Sequence, residues 1–226
     1  MTYIEITGAL IGLLYLWLEL RASIWLWPVG IVMPALYIYI FYVSGFYADM
    51  GINVYFLGAG IYGWTLWLWK GRRRKQANGQ AAADTPGAAG EHPLPISRTP
   101  GRTWWMMSAT FAFFFVALVF VLKRYTDSTV PWGDSFITAL SVVGLWMLSR
   151  KYVEQWLVWI VVDSVSAALY WYKGLYPTCA LYAIYSVIAV FGYFKWIRMM
   201  NAQNAIDNTR NALETAQTEP VTYETP

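Results

Sequence analysis

Asp163 sits in the middle of an otherwise apolar run, "EQWLVWIVVDSVSAALYWYK" (154–173), with Trp156 and Trp159 before it and Tyr170 after it. Spacings of three, four and seven put these four side chains on one face of a helix. An ionised carboxylate at mid-bilayer costs about 2.5 to 3.5 kcal/mol or more, so it is expected to face a cavity or a partner rather than lipid. Two indoles ahead of it make a box for a flat cation. Cation–π attraction contributes about 0.5 to 2 kcal/mol, and the carboxylate adds charge or hydrogen bonding. Structural readings stand beside this one: Trp156 as an interfacial anchor, and Asp163 bonded to a hydroxyl on another helix. A protonatable coupling site is a third role for Asp163. In the next apolar run Thr178, Tyr182 and Tyr185 share a face, with Ser186 adjoining, and these hydroxyls suit a polar ligand. Asn53 and Gln155 are further candidates near span ends. Glu19 and Arg21 read as an interfacial pair, and Asp127 and Asp134 as a solvated loop, at most a weak attractor for cations.

The elements that must carry these residues follow from composition. Of 226 residues 58% are hydrophobic, 19% aromatic and only 13% charged, against roughly 25% charged in a soluble domain. Several apolar runs approach the roughly 20 residues that cross a bilayer as a helix. The expected class is therefore an all-α polytopic membrane protein. Seven transmembrane helices are expected at about 4–20, 22–44, 48–69, 103–122, 135–149, 152–172 and 176–197. The N-terminal segment lacks a basic region and carries Glu5, so it reads as the start of a span rather than a cleaved signal. The fourth run is apolar on every side and reads as a lipid-facing connector. Residues 76–102, rich in Ala, Gly and Pro, read as a flexible cytoplasmic linker, and residues 201–226 as a polar tail with one short helix near Ala205 to Leu213.

The halves repeat. "LYLWLELR" (14–21) lines up with "VGLWMLSR" (143–150), and "YGWTLW" (62–67) with "FGYFKW" (191–196), both at an offset of 129; "ALYIY" (35–39) resembles "ALYWY" (168–172) at 133, implying residues gained and then lost. Each half is thus expected to be one three-helix unit, 1–75 and 125–200, with a connecting helix at 103–124. Three spans reverse the chain and the extra helix restores it, giving 3+1+3 with parallel repeats and a central site at their interface. One side of these spans collects Arg21, the cluster from Lys70 to Lys75, Arg98, Arg102, Arg150, Lys151, Lys195, Arg198 and Arg210, leaving Lys123, Arg124 and Lys173 on the other. The positive-inside rule then places the N-terminus outside and the C-terminus in the cytoplasm. The basic "KGRRRK" is explained by orientation, and no nucleic-acid partner is expected.

Other chemistries find no residues. With Cys179 alone and His92 in a polar stretch, no internal disulfide and no metal site is expected, and no cofactor. There is no HExxH, no pair of carboxylates within one span and no lysine inside the last span for a retinal Schiff base, so an enzyme or photoreceptor is not expected. A receptor that binds without transporting stays open, as does association into a homo-oligomer.

The run "WLVWIVVDSVSAALYWYKGLYPTCALYAIYSVIAVFGYFKW" (156–196) resembles the signature region of the PnuC-type vitamin transporters, with its WxxW pair, its LY-x-Y-K-G-L turn and its closing G-Y-x-x-W. The resemblance covers most of the chain and is sharpest in the second unit. It implies a fold related to the SWEET sugar transporters, residence in the bacterial inner membrane, and facilitated diffusion of a B-type vitamin precursor, usually nicotinamide riboside, retained by phosphorylation. It also implies that Trp156 and Trp159 line the site. Where nicotinamide riboside carriers commonly show asparagine after the WxxW, this chain has Asp163. A carboxylate favours cationic or amine-bearing ligands, which admits both nicotinamide riboside and thiamine.

Overall fold

A computed structural model describes residues 3–44, 47–78, 95–126 and 129–218. It contains seven helices: α1 (Tyr3–Leu20), α2 (Leu26–Ser44), α3 (Tyr47–Asn78), α4 (Gly101–Tyr125), α5 (Pro131–Ser149), α6 (Gln155–Tyr172) and α7 (Tyr176–Thr218). They fall on the seven expected runs. By length and composition three stretches suffice to cross a membrane, Gly101–Tyr125, Pro131–Ser149 and Tyr176–Thr209, while α1 and α2 carry shorter apolar stretches at Leu10–Leu20 and Leu26–Tyr39. Polar groups interrupt α6, including Gln155, Asp163, Ser164 and Ser166. Large apolar side chains stand outward along α4, among them Trp105, Phe113, Val116 and Phe120, a surface suited to lipid.

Matching structural devices recur 129 residues apart. The α1–α2 turn has Ala22 at φ 50°, and the α5–α6 turn has Lys151 at φ 55°. Both turns end their helix in the same way. Ala22 N–H donates to Glu19 O and Ser23 N–H to Leu18 O, while Lys151 N–H donates to Leu148 O and Tyr152 N–H to Met147 O. This is a Schellman cap with a side-chain-bearing residue where glycine is usual. Four tryptophans follow the same rule. Trp27 meets Trp67 edge-on with centroids 5.4 Å apart, and Trp156 meets Trp196 edge-on at 5.6 Å. Gly63 lies directly beneath the Trp27 ring, and Gly192 beneath Trp156. A side chain at either glycine would take the volume the indole occupies, so a small residue sets the close helix approach.

The expected slip between "ALYIY" and "ALYWY" does not occur. α2 and α6 begin at residues 26 and 155, and α3 and α7 at 47 and 176, so nothing is gained or lost and those pentapeptides sit about one helical turn out of step. The helices close a ring in which α1 packs on α2 and α7, α3 on α2 and α5, and α6 on α5 and α7. α4 leans on α5 from outside, with Phe114 reaching Tyr55 of α3 at 5.8 Å.

Two expectations at the end that carries the α5–α6 turn need correction. The linker does not extend to 102: Ile96 is buried, Ser97 pairs with Tyr152 in a parallel bridge, and Thr99 bonds Glu154 Oε2 through its backbone N–H at 2.8 Å and its hydroxyl at 2.9 Å. One apolar side chain and one carboxylate thus pin this strap beneath the α5–α6 turn. The tail does not hold a short separate helix, because α7 continues unbroken through Thr218, and Gln203 of that extension accepts from Ile96 N–H at 3.1 Å. Residues 79–94, with His92, and 219–226 lie outside the described residues, as do Asp127 and the side chains of Arg72 to Lys75 and Arg210.

Candidate functional site

Asp163 is the group that the fold must justify, and α6 buries it to 7% exposure. It has Tyr182 and Tyr185 of α7 and Glu19 of α1 as its titratable neighbours. The polar space is therefore bounded by α1, α6 and α7. Tyr170 and Tyr182 lie 5.1 Å apart between ring centroids, and Tyr182 and Tyr185 5.7 Å. Gly12 of α1 lets the Tyr185 hydroxyl come up against its backbone. Asp163, Tyr170, Tyr182 and Tyr185, read from the sequence as one site, are thus brought together from two helices.

The two tryptophans part company. Trp159 packs over Gly144, whose added Cβ would lie 3.4 Å from the indole, and its Nε1 is buried with no hydrogen-bond partner. Trp156 has no exposed surface at all. Its ring is closed between Trp196 and Gly192, as Trp27 is closed between Trp67 and Gly63. The expectation that Trp156 offers a face to a ligand is corrected by that packing. Thr178, one turn before Tyr182 on α7, is partly buried, and Asn53 is partly buried on α3, 129 residues before Tyr182. Ser186 is engaged elsewhere: it pairs with Ser164 at 2.8 Å, tying α7 to α6 at the residue that follows Asp163.

Glu19 was the residue that sequence reasoning misplaced. It is 1% exposed rather than interfacial, and Arg21 stacks over Trp17 at 4.0 Å. Trp196 Nε1 donates to Glu19 O at 3.1 Å and closes over that end of α1. Gln155, fully buried, stands beside Glu19, but its two amide atoms and Glu19 Oε1 lack hydrogen-bond partners. The available signal was the offset itself, since residues 129 away are Leu148 and Leu26: polar groups stand where the other half is apolar.

Lys151 was also overlooked. Its side chain is buried, with Nζ 4.0 Å from the Trp67 ring centroid and 3.4 Å from Ala22 O, the carbonyl of its own counterpart. Burial pushes the ammonium down to about 7, against which the ring and the carbonyl dipole work. On the opposite end of the ring, Asp134 is no free attractor: it pairs with Lys173 at 3.1 Å and joins the start of α5 to the end of α6.

Residues 2–198 match the family described as nicotinamide mononucleotide transporter. The chain is 26% identical over 201 residues to the nicotinamide riboside transporter PnuC of Escherichia coli (strain K12), covering 81% of this chain and 80% of that one. It is 26% identical over 174 residues to the riboflavin/roseoflavin transporter RibM of Streptomyces davaonensis, covering 75% and 73%. A crystal structure of the vitamin B3 transporter PnuC superposes with a TM-score of 0.60 at 22% identity, over 86% of this chain and 80% of that chain, so the two share a fold.

Proposed function

We propose, because the chain belongs to the nicotinamide mononucleotide transporter family, that this multi-pass membrane protein takes up a cationic aromatic B-type vitamin or precursor, nicotinamide riboside first, by facilitated diffusion. Phosphorylation inside the cell would then retain the vitamin. The observation that carries this reading is a carboxylate, Asp163, buried at the middle of α6 beside an indole N–H with no partner and three tyrosines. A flat cation supplies what that space lacks: charge for the carboxylate and a ring for Trp159. Tyr170, Tyr182 and Tyr185 would complete the walls, with Thr178 and Asn53 at the margins. Trp156 would support the site from behind.

In the proposed architecture the two three-helix units run parallel, as 3+1+3 in the manner of SWEET transporters, and rock about the central space. The recurrence of caps, tryptophan pairs and glycines at 129 residues supports it. The distribution of basic residues supports a cytoplasmic C-terminus.

Thiamine is the second reading, favoured by Asp163 standing where nicotinamide riboside carriers commonly have asparagine. The RibM relative makes riboflavin a third ligand worth testing. Titration of the purified protein with all three, followed by tryptophan fluorescence, ranks them. Uptake of the tightest ligand into proteoliposomes then distinguishes carrier from receptor: binding without accumulation would overturn transport.

A further inference from the structure

The internal repeat separates residues the fold requires from residues it does not. Trp27 and Trp156, Trp67 and Trp196, Gly63 and Gly192 are alike in both halves and do the same packing. Glu19 and Gln155 are unlike their counterparts. The equivalent places in the other half are held by Leu148 and Leu26, both buried in the apolar core. An apolar pair therefore suffices for the fold at this place. The polar pair instead leaves Glu19 Oε1 and both Gln155 amide atoms buried with no partner beyond what the two neighbouring side chains can offer each other, an arrangement that costs about 1 to 3 kcal/mol. Natural interiors rarely retain such groups without a reason.

The pair also lies in line with the aromatic site. Gln155 precedes Asp163 by eight residues on α6, about 12 Å along the helix axis, and Glu19 of α1 stands beside Gln155. That interval is the length of a nucleoside lying along the helix. A carboxylate presents two oxygens to adjacent hydroxyls, as acidic residues do with ribose in dinucleotide sites, and an amide adds one donor and one acceptor. We infer that Glu19 and Gln155 form a second subsite, at the cytoplasmic end of the Asp163 site, which binds the vicinal hydroxyls of a ribosyl or ribityl group. This rests on the vitamin-transport reading and narrows it to substrates with a hydroxylated sugar-like arm. Thiamine, with one hydroxyl, would leave the pair half used.

The test uses the full chain in detergent and two ligands with the same cationic ring, nicotinamide riboside and 1-methylnicotinamide, which carries a methyl group on the ring nitrogen in place of the sugar. Glu19→Leu and Gln155→Leu install the residues found at the equivalent places, and Glu19→Gln keeps the shape; all three should unfold near the wild-type temperature. Each is expected to weaken riboside binding about tenfold or more, the scale of one hydrogen bond to a charged group, with 1-methylnicotinamide changed by less than about twofold. Equal loss for both ligands, or unchanged riboside binding by a folded Glu19→Gln protein, overturns the subsite and leaves the transport reading standing. Failure of the wild-type protein to bind the riboside while it binds thiamine overturns the subsite alone; failure to bind the riboside, thiamine and riboflavin removes that reading, and the subsite with it.

Discussion

Two neighbouring tryptophans of one motif carry different predictions. Trp159→Ala should weaken vitamin binding about tenfold or more by removing the ring face and shift the unfolding temperature little. Trp156→Ala should do the reverse, since emptying a fully enclosed indole site costs about 3 to 5 kcal/mol; thermal unfolding beside ligand titration separates the two. Asp163→Asn tests charge recognition. If the carboxylate reads an amine or a cation not otherwise held, thiamine should lose more affinity than nicotinamide riboside, and equal, negligible changes would reject that role. Asp163 was legible because a charge in the middle of an apolar run has few destinations. Glu19 was not, because an acid at a span end is ordinarily wetted, and only the closure of Trp196 over α1 buries it.

At the scale of elements, the glycine beneath each indole is the point where a small change should be felt most. A Cβ at residue 192 would meet Trp156 at 2.6 Å, so Gly192→Leu should destabilise the protein by about 1 to 3 kcal/mol through overpacking, read as a lower unfolding temperature in detergent. The turns make a second prediction. Lys151 is shifted from 10.5 down to about 7 by burial, so between those values the unfolded chain holds a proton that the folded chain has released. Stability should therefore rise as pH increases from about 7 toward 10. Lys151→Met should flatten that slope, measured as unfolding temperature against pH. Helix positions were legible throughout, because lipid demands long apolar runs. The continuation of α7 through Thr218 was not: its last turns carry no apolar stripe, and the contact with Ile96 comes from a segment over a hundred residues earlier.

For the whole molecule, the bonds that cross between halves are the ones a rocking motion must break. Trp67 Nε1 donates to Ser149 O at 2.9 Å, and Trp196 Nε1 to Glu19 O at 3.1 Å, so each half clasps the other at the same end. Trp67→Phe keeps the ring and removes the donor; it should make a cysteine introduced at Ser149 react faster with a thiol reagent applied from the side on which the α5–α6 turn lies. An unchanged rate would mean the clasp does not hold that end shut. The duplicated sequence was visible from Leu, Trp and Arg alone, yet its register could be set only by the helix starts and caps, because alternating Leu and Tyr match almost as well one turn away.

The halves have exchanged bulk as they diverged. Tyr15 on α1 fills the space over Gly30 on α2, whereas on the other side Trp159 on α6 fills the space over Gly144 on α5: large faces small in both, with the partners swapped. Such reciprocal compensation makes the halves non-interchangeable. A chimera built from two copies of the first unit would keep its tryptophan clasps and lose its cargo, having proline and glycine where the acid and the indole belong.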